Sequence, residues 1–180
     1  MSDVNASFAK LLEYEQRALG AEESDAGAAV VQGDWAGLAF RIADTQMVCG
    51  TDRIFESLPI PRVTRVPGTK PFILGLANVR GNLITVIDLG RYLEGEPTPV
   101  TGTSRLLSAT LRGRPVGLLV DEVYGQRNFM SSDAGTPSLP ENSPLTGLVR
   151  KQHRSGSETW QELDLPALFS QPEFLDGSAA

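Results

Sequence analysis

The chain of 180 residues holds a single cysteine, Cys49, and a single histidine, His153. A lone cysteine closes no internal disulfide, and with no histidine near it in sequence it reads as a small buried hydrophobe, not a nucleophile. No stretch of apolar residues is long enough to span a bilayer as a helix. The opening MSDVNASFAKLLEYEQ has neither a basic start nor an apolar run, so no secretion signal is expected and the cytoplasm is the expected compartment. A basic surplus is also missing. The net charge is −6, concentrated in residues 1–34, where seven acids face only Lys10 and Arg17; the remainder is close to neutral. Neither part has the charge of a nucleic-acid binder.

The same scarcity thins out catalytic readings. Asp121 and Glu122 are adjacent, and neighbours in a strand point to opposite faces, so they do not easily grip one ion. No metal and no cofactor are expected. His153 stands in KQHRSG, which reads as an exposed turn, and no G-x-S-x-G is present, so no serine-hydrolase site is expected. The glycines of GLANVRGN precede a strand and lack a following Lys-Ser or Lys-Thr, so they are turn glycines and not a phosphate cradle. Asp88 and Asp121 could form an acid–base pair, but Asp88 follows the strand LITVI and has a capping role available. Arg53, Arg62, Arg65, Lys70 and Arg80 make the one local basic stretch. A small barrel binding single strands through these arginines is the alternative from another functional class, although the aromatics, 7% of the chain, are not interleaved with them.

What is present is strand. Residues 7–19 have helical spacing, and the small, acidic stretch after them reads as a linker. From Trp35 the period becomes two: WAGLAFRI alternates, Ala43-Asp44-Thr45 turns, and QMVCG returns. DRIFESL is short and mixed, readable as a helical turn or a bent strand. PIPRVTRVP suits a sheet edge. SRLLSATL and PVGLLVDEV flank a tight turn at Arg112-Gly113, residues 130–144 form a long loop, and LTGLVRKQ and SETWQELD form a hairpin around 153–156. Each half ends alike, in VIDLGRYL and in ELDLPALF, with Asp88 and Asp164 placed to cap short helices. Many short strands at this spacing predict a mainly β protein of paired small barrels. The domain boundaries expected are a leader at 1–34, a folded domain at 35–170 and a tail at 171–180.

Arg80 is harder to place on structural grounds. In GLANVRGNLITVIDL, Gly81-Asn82 suits a tight hairpin turn, but no turn requires Arg80. A permanently charged fork at a hairpin crest can hold a carboxylate inside the molecule, Asp88 or Glu56, or one on a partner.

The stretch PFILGLANVRGNLITVIDLGRYL resembles the signature of the CheW family of bacterial chemosensory adaptors, with Phe72, Ile73, Gly75, Asn78, Arg80, Gly81, Asp88 and Leu89 in place. VGLLVDEV, LTGLVRKQ and ELDLPALF are similar to later family segments in the same order, so the resemblance covers roughly residues 35–170. The helix-like leader and the C-terminal QPEFLD resemble the variant of type IV pilus twitching-motility systems; a flagellar chemotaxis coupling protein is the alternative within the family. The resemblance implies two interleaved SH3-like five-stranded barrels, no catalysis, and a bridging role between the cytoplasmic tip of a methyl-accepting chemoreceptor and the regulatory domain of a CheA-like histidine kinase. It implies a cytoplasmic protein at the membrane-associated chemosensory array, with no direct membrane insertion. By motif it assigns partner contact to Ile54, Glu56 and Arg80, and puts Gly117, Val120 and Val123 on a second-barrel strand beside the receptor groove. Gly81, Asn82, Asp88 and Asp164 are assigned to turns and caps. The sequence departs from the family pattern at Thr85, where proline is frequent, and in its long 130–144 loop.

Overall fold

The computed structural model describes residues 33–141 and 143–177. The helix expected at 7–19 and its linker lie outside them. The strands run in chain order as β1 (Trp35–Ile42), β2 (Thr45–Cys49), β3 (Ile54–Leu58), β4 (Val63–Thr64), β5 (Ile73–Val79) and β6 (Asn82–Asp88), then helix α1 (Leu89–Glu94). They continue as β7 (Arg105–Leu111), β8 (Arg114–Val120), β9 (Glu122–Phe129), β10 (Ala134–Gly135), β11 (Val149–Ser155) and β12 (Glu158–Leu163). Helices α2 (Leu165–Ser170) and α3 (Pro172–Leu175) complete the order. DRIFESL thus resolves into a strand, β3, and the tail from residue 171 opens with a helical turn whose Phe174 is buried.

Two sheets result, ordered β10-β11-β12-β2-β1-β9 and β3-β7-β8-β6-β5-β4. Each has six strands where five were expected; each includes a two-residue edge strand, β10 in one and β4 in the other. The proline-flanked VT segment is an edge, as its composition requires: a proline has no N–H for a ladder. The sheets do not divide the chain into halves. β12 lies parallel to β2, pairing Gln161 with Met47, so the last strand completes the sheet that the first hairpin began. β6 lies parallel to β8 in the other sheet. Those two strands, β6 and β12, are the ones that run into Asp-Leu and a helix, which explains the repeated segment without making each half a barrel.

The second sheet curls on itself. Leu58 of β3 and Val63 of β4, from opposite edges, pack on one cluster with Ala77, Ile84, Val86, Leu106 and Leu119. The first sheet holds Ala39, Val48, Phe129 and Trp160. Between them lies the largest core, which takes Phe40, Ile42 and Met47 from one sheet and Ile87, Leu107 and Leu118 from the other. Leu165, Leu168, Phe169 and Phe174 of the C-terminal helices pack onto it.

Asp88 ties the end of β6 to α1 and to the segment around Thr98. One carboxylate oxygen accepts the Arg91 N–H at 3.0 Å and the Thr98 hydroxyl at 2.6 Å, and the other accepts the Thr98 N–H at 3.1 Å. The residue is 1% exposed. These bonds cap α1 and also fasten the segment that leads back to β7. Asp88→Ala removes the cap and orphans the buried Thr98 groups, so unfolding in urea is expected to show a loss of about 3 kcal/mol. A loss below about 1 kcal/mol would contradict this role.

Candidate partner-binding site

The hairpin of β5 and β6 pairs Val79 with Asn82, leaving Arg80 and Gly81 as the two turn residues. Their φ values are 52° and 86°, which is the type I′ pattern matched to the twist of a hairpin. The Asn78 side chain accepts the Gly81 N–H at 2.8 Å and braces the turn. The turn is therefore Arg80-Gly81 and not Gly81-Asn82: Asn82 is the first residue of β6. Arg80 holds a left-handed conformation that disfavours a long side chain, at a cost of about 1 kcal/mol. Arg112-Gly113, with φ of 48° and 77°, builds the same turn between β7 and β8.

Of the two carboxylates weighed for Arg80, Asp88 is buried and committed to its cap. Glu56 is the partner: its carboxylate lies 2.7 Å from the Arg80 guanidinium. Glu56 stands on β3, at the open edge of the sheet, just past a bulge. Ile54 pairs with Ala109 and Glu56 with Ser108, so Phe55 is the extra residue. The bulge lets β3 serve two cores, Ile54 packing toward the shared one and Leu58 into the second sheet. Phe55 is left 68% exposed beside Glu56. It is absent from the residues that the motif assigns to partner contact; an aromatic between charged residues in a short strand was the available signal. The structure thus brings Glu56 of the edge strand and Arg80 of the hairpin crest together, while Ile54 is half-buried against the shared core.

Gly117, Val120 and Val123 do not join them as a contact surface. Gly117 and Val120 lie on β8, in the same sheet as Arg80, and both are buried. A Cβ on Gly117 would sit 2.6 Å from the Leu106 side chain, so this glycine answers to packing. Val123 is on β9 of the other sheet and packs partly buried against the shared core. Burial leaves Gly117 and Val120 no surface to present to a partner. Asp164 caps α2 by accepting the Ala167 N–H at 3.0 Å, and its other oxygen takes two bonds from Arg150.

His153 is not in an exposed turn. It lies on β11, 3% exposed, stacked on Trp35 at 4.7 Å, with Nε2 at 2.8 Å from the Glu162 carboxylate. The turn falls at 156–157 instead, where Gly156 has φ 62°. In the basic stretch, Arg53 pairs with Asp52 and Lys70 donates to the Glu173 carbonyl. No group of residues able to hold a metal ion occurs among the described residues. Burial, with the nearby Asp52 and Glu162 charges, pushes the Cys49 thiol up to about 12. The native protein is therefore expected to resist thiol-alkylating reagents at pH 8 and to react with them once unfolded.

The Arg80–Glu56 pair is too exposed to hold the fold. The arginine side chain is 73% accessible, so solvent screens the attraction. A double-mutant cycle with Arg80→Ala and Glu56→Gln, read by urea unfolding, is expected to give a coupling energy below about 1 kcal/mol.

Comparison with known proteins adds three findings. The family model for the CheW-like domain matches residues 36–173. The chain is 33% identical to Protein PilI of Pseudomonas aeruginosa over 98% of each chain, and 26% identical to Protein FrzA of Myxococcus xanthus over 66% of this chain and 74% of that one. Its fold is similar to that of the scaffolding protein TtCheW of Thermoanaerobacter tengcongensis, with a TM-score of 0.66 at 22% identity, covering 77% of this chain and 94% of that one.

Proposed function

The chain belongs to the CheW-like family, and from that membership we propose that it is a non-enzymatic adaptor in a cytoplasmic chemosensory array. It joins the cytoplasmic tip of a chemoreceptor to the regulatory domain of a CheA-type histidine kinase. The similarity to Protein PilI along nearly the whole chain supports service to type IV pilus motility. No described helix is long and apolar enough to cross a membrane.

The observation that carries the reading is Arg80. It occupies a turn position that its side chain disfavours, and its ion pair with Glu56 is mostly in water. Neither local geometry nor local stability accounts for an arginine there. The Arg80 fork and the Glu56 carboxylate meet at the surface, and Phe55, next to Glu56 in β3, is exposed; arginine and aromatic side chains are the types that carry energetic protein contacts. Kinase docking is assigned to this edge.

The test separates the turn from the contact. Asparagine is favoured at the first position of a type I′ turn, so Arg80→Asn keeps the hairpin while removing the charge. Thermal and urea unfolding are expected to stay within about 1 kcal/mol of the original. Affinity for the kinase regulatory domain, measured by titration calorimetry, is expected to fall about tenfold. Unchanged affinity with unchanged stability would remove Arg80 from the interface.

A further inference from the structure

The second sheet has a face that the shared core covers only in part. Side chains alternate along a strand, so the residues of β5, β6 and β8 that do not enter the second sheet's own core point out of its other side. Ile87 of β6 and Val116 and Leu118 of β8 do so and are covered by the shared core. Towards the hairpin crests that cover ends. Leu83 of β6 is 64% exposed, and Leu76 of β5 and Val66, just past β4, are half-buried. With Arg62 and Thr64 these three line a groove of about 490 Å³. Thr64 pairs with Leu76 and Asn78 with Leu83, so the groove crosses β4, β5 and β6. The next strand is β8. Thr85 of β6 pairs with Val116, and two residues back along both strands Leu83 stands beside Arg114, on the same face. An apolar strip therefore runs between two arginines, Arg62 on one flank and Arg114 on the other. Both are exposed, and neither makes a hydrogen bond or ion pair among the described residues. No aspartate or glutamate lines the groove.

We propose that this strip docks an acidic amphipathic helix of a partner protein. Charge selects the sign: two uncompensated arginines flank an apolar floor, so the complementary surface carries an apolar ridge with carboxylates on both sides. Width selects the element. From β4 to β8 there are three strand spacings, about 14 Å along the sheet. An α-helix with its side chains is about 11 Å across. Laid on the strip, its ridge of residues i, i+3, i+4 and i+7 covers Leu76, Leu83 and Val66, and acids on its two shoulders reach Arg62 and Arg114. An added strand would pair along a sheet edge and leave these side chains, which stand on the face, uncovered. A nucleic acid has no stacking platform here, because no aromatic residue lines the groove, and the chain as a whole carries a net charge of −6. The proposal goes beyond the adaptor reading and does not depend on it, since neither Arg80 nor Glu56 lines the groove.

The test uses the full chain, isotopically labelled, and NMR titration with a synthetic helix-forming peptide that carries leucine at every third or fourth position and glutamate on both flanks. A second peptide has lysine in place of every glutamate. The acidic peptide is expected to shift the amides of Leu76, Leu83 and Arg114 along one saturable curve, and the basic peptide to leave them in place. Arg114→Glu and Leu83→Ser are each expected to weaken the acidic peptide about tenfold. Both positions are exposed, and thermal unfolding checks that the variants fold. Arg154→Glu, the same charge reversal on the other sheet, is expected to leave binding unchanged. Two further titrations use oligothymidylate and phosphatidylglycerol vesicles, and neither is expected to move these amides. Equal shifts with the basic peptide, unaltered curves for folded Arg114→Glu and Leu83→Ser, or tighter binding of the oligonucleotide or the vesicles would overturn the proposal.

Discussion

The fold depends on strands that are buried on both faces. In β7, Leu106 points into the core of the second sheet, while Leu107 and Ala109 point into the core shared by both sheets. In β8, Leu119 goes one way and Val116, Leu118 and Val120 the other. In β1 and β2, Ala39 and Val48 serve the first sheet, whereas Phe40, Ile42 and Met47 serve the shared core. Side chains alternate with period two, so a slip of one residue in any of these strands would exchange the contents of two cores at once. That is a strong constraint on register. It also accounts for the nearly unbroken apolar run in PVGLLV, which no half-exposed strand would carry.

This double burial decides where binding can happen. Gly117 and Val120 of β8 are buried in the interior of the isolated chain. What remains accessible is the periphery: hairpin crests, open edge strands and loops. Glu56 is on an edge, Arg80 is on a crest, and Phe55, at the bulge next to Glu56, is exposed. The capped helices have a related role. α1 and α2 close the ends of β6 and β12, which pair in parallel with β8 and β2 respectively, and each starts at an aspartate whose carboxylate accepts an orphan amide of the first turn.

Much of this was legible in the sequence for local reasons. Alternation marked β1, apolar runs bounded by turns marked β5 through β8, glycine marked the crests, and aspartate before leucine marked the helix starts. Sheet membership was not legible, because β12 finds β2 across more than a hundred residues and nothing local records a parallel pairing at that range. His153 misled for a similar reason. Its neighbours Lys151, Arg154 and Gly156 are those of a turn, and its burial depends on Trp35 and Glu162, one of them far away in sequence. The residues expected to touch a partner divide by exposure: Glu56 and Arg80 are surface groups brought together, while Gly117 and Val120 are buried.

Arg80 shows how far local energetics reach. A left-handed arginine costs the turn about 1 kcal/mol relative to asparagine or glycine, and an ion pair this exposed returns no more than about that amount. The two terms nearly cancel, so the folded chain by itself is indifferent to arginine here. Arg112 occupies the equivalent position of the other Arg-Gly turn and makes no ion pair among the described residues, so the turn does not demand a bridging carboxylate either. With Glu56 holding the fork in place at the edge of the sheet, the side chain is ordered before any partner arrives. An ordered, solvent-facing guanidinium loses less rotamer freedom on binding than a free one. On the adaptor function proposed above, the advantage of arginine at this crest lies in a contact with the partner.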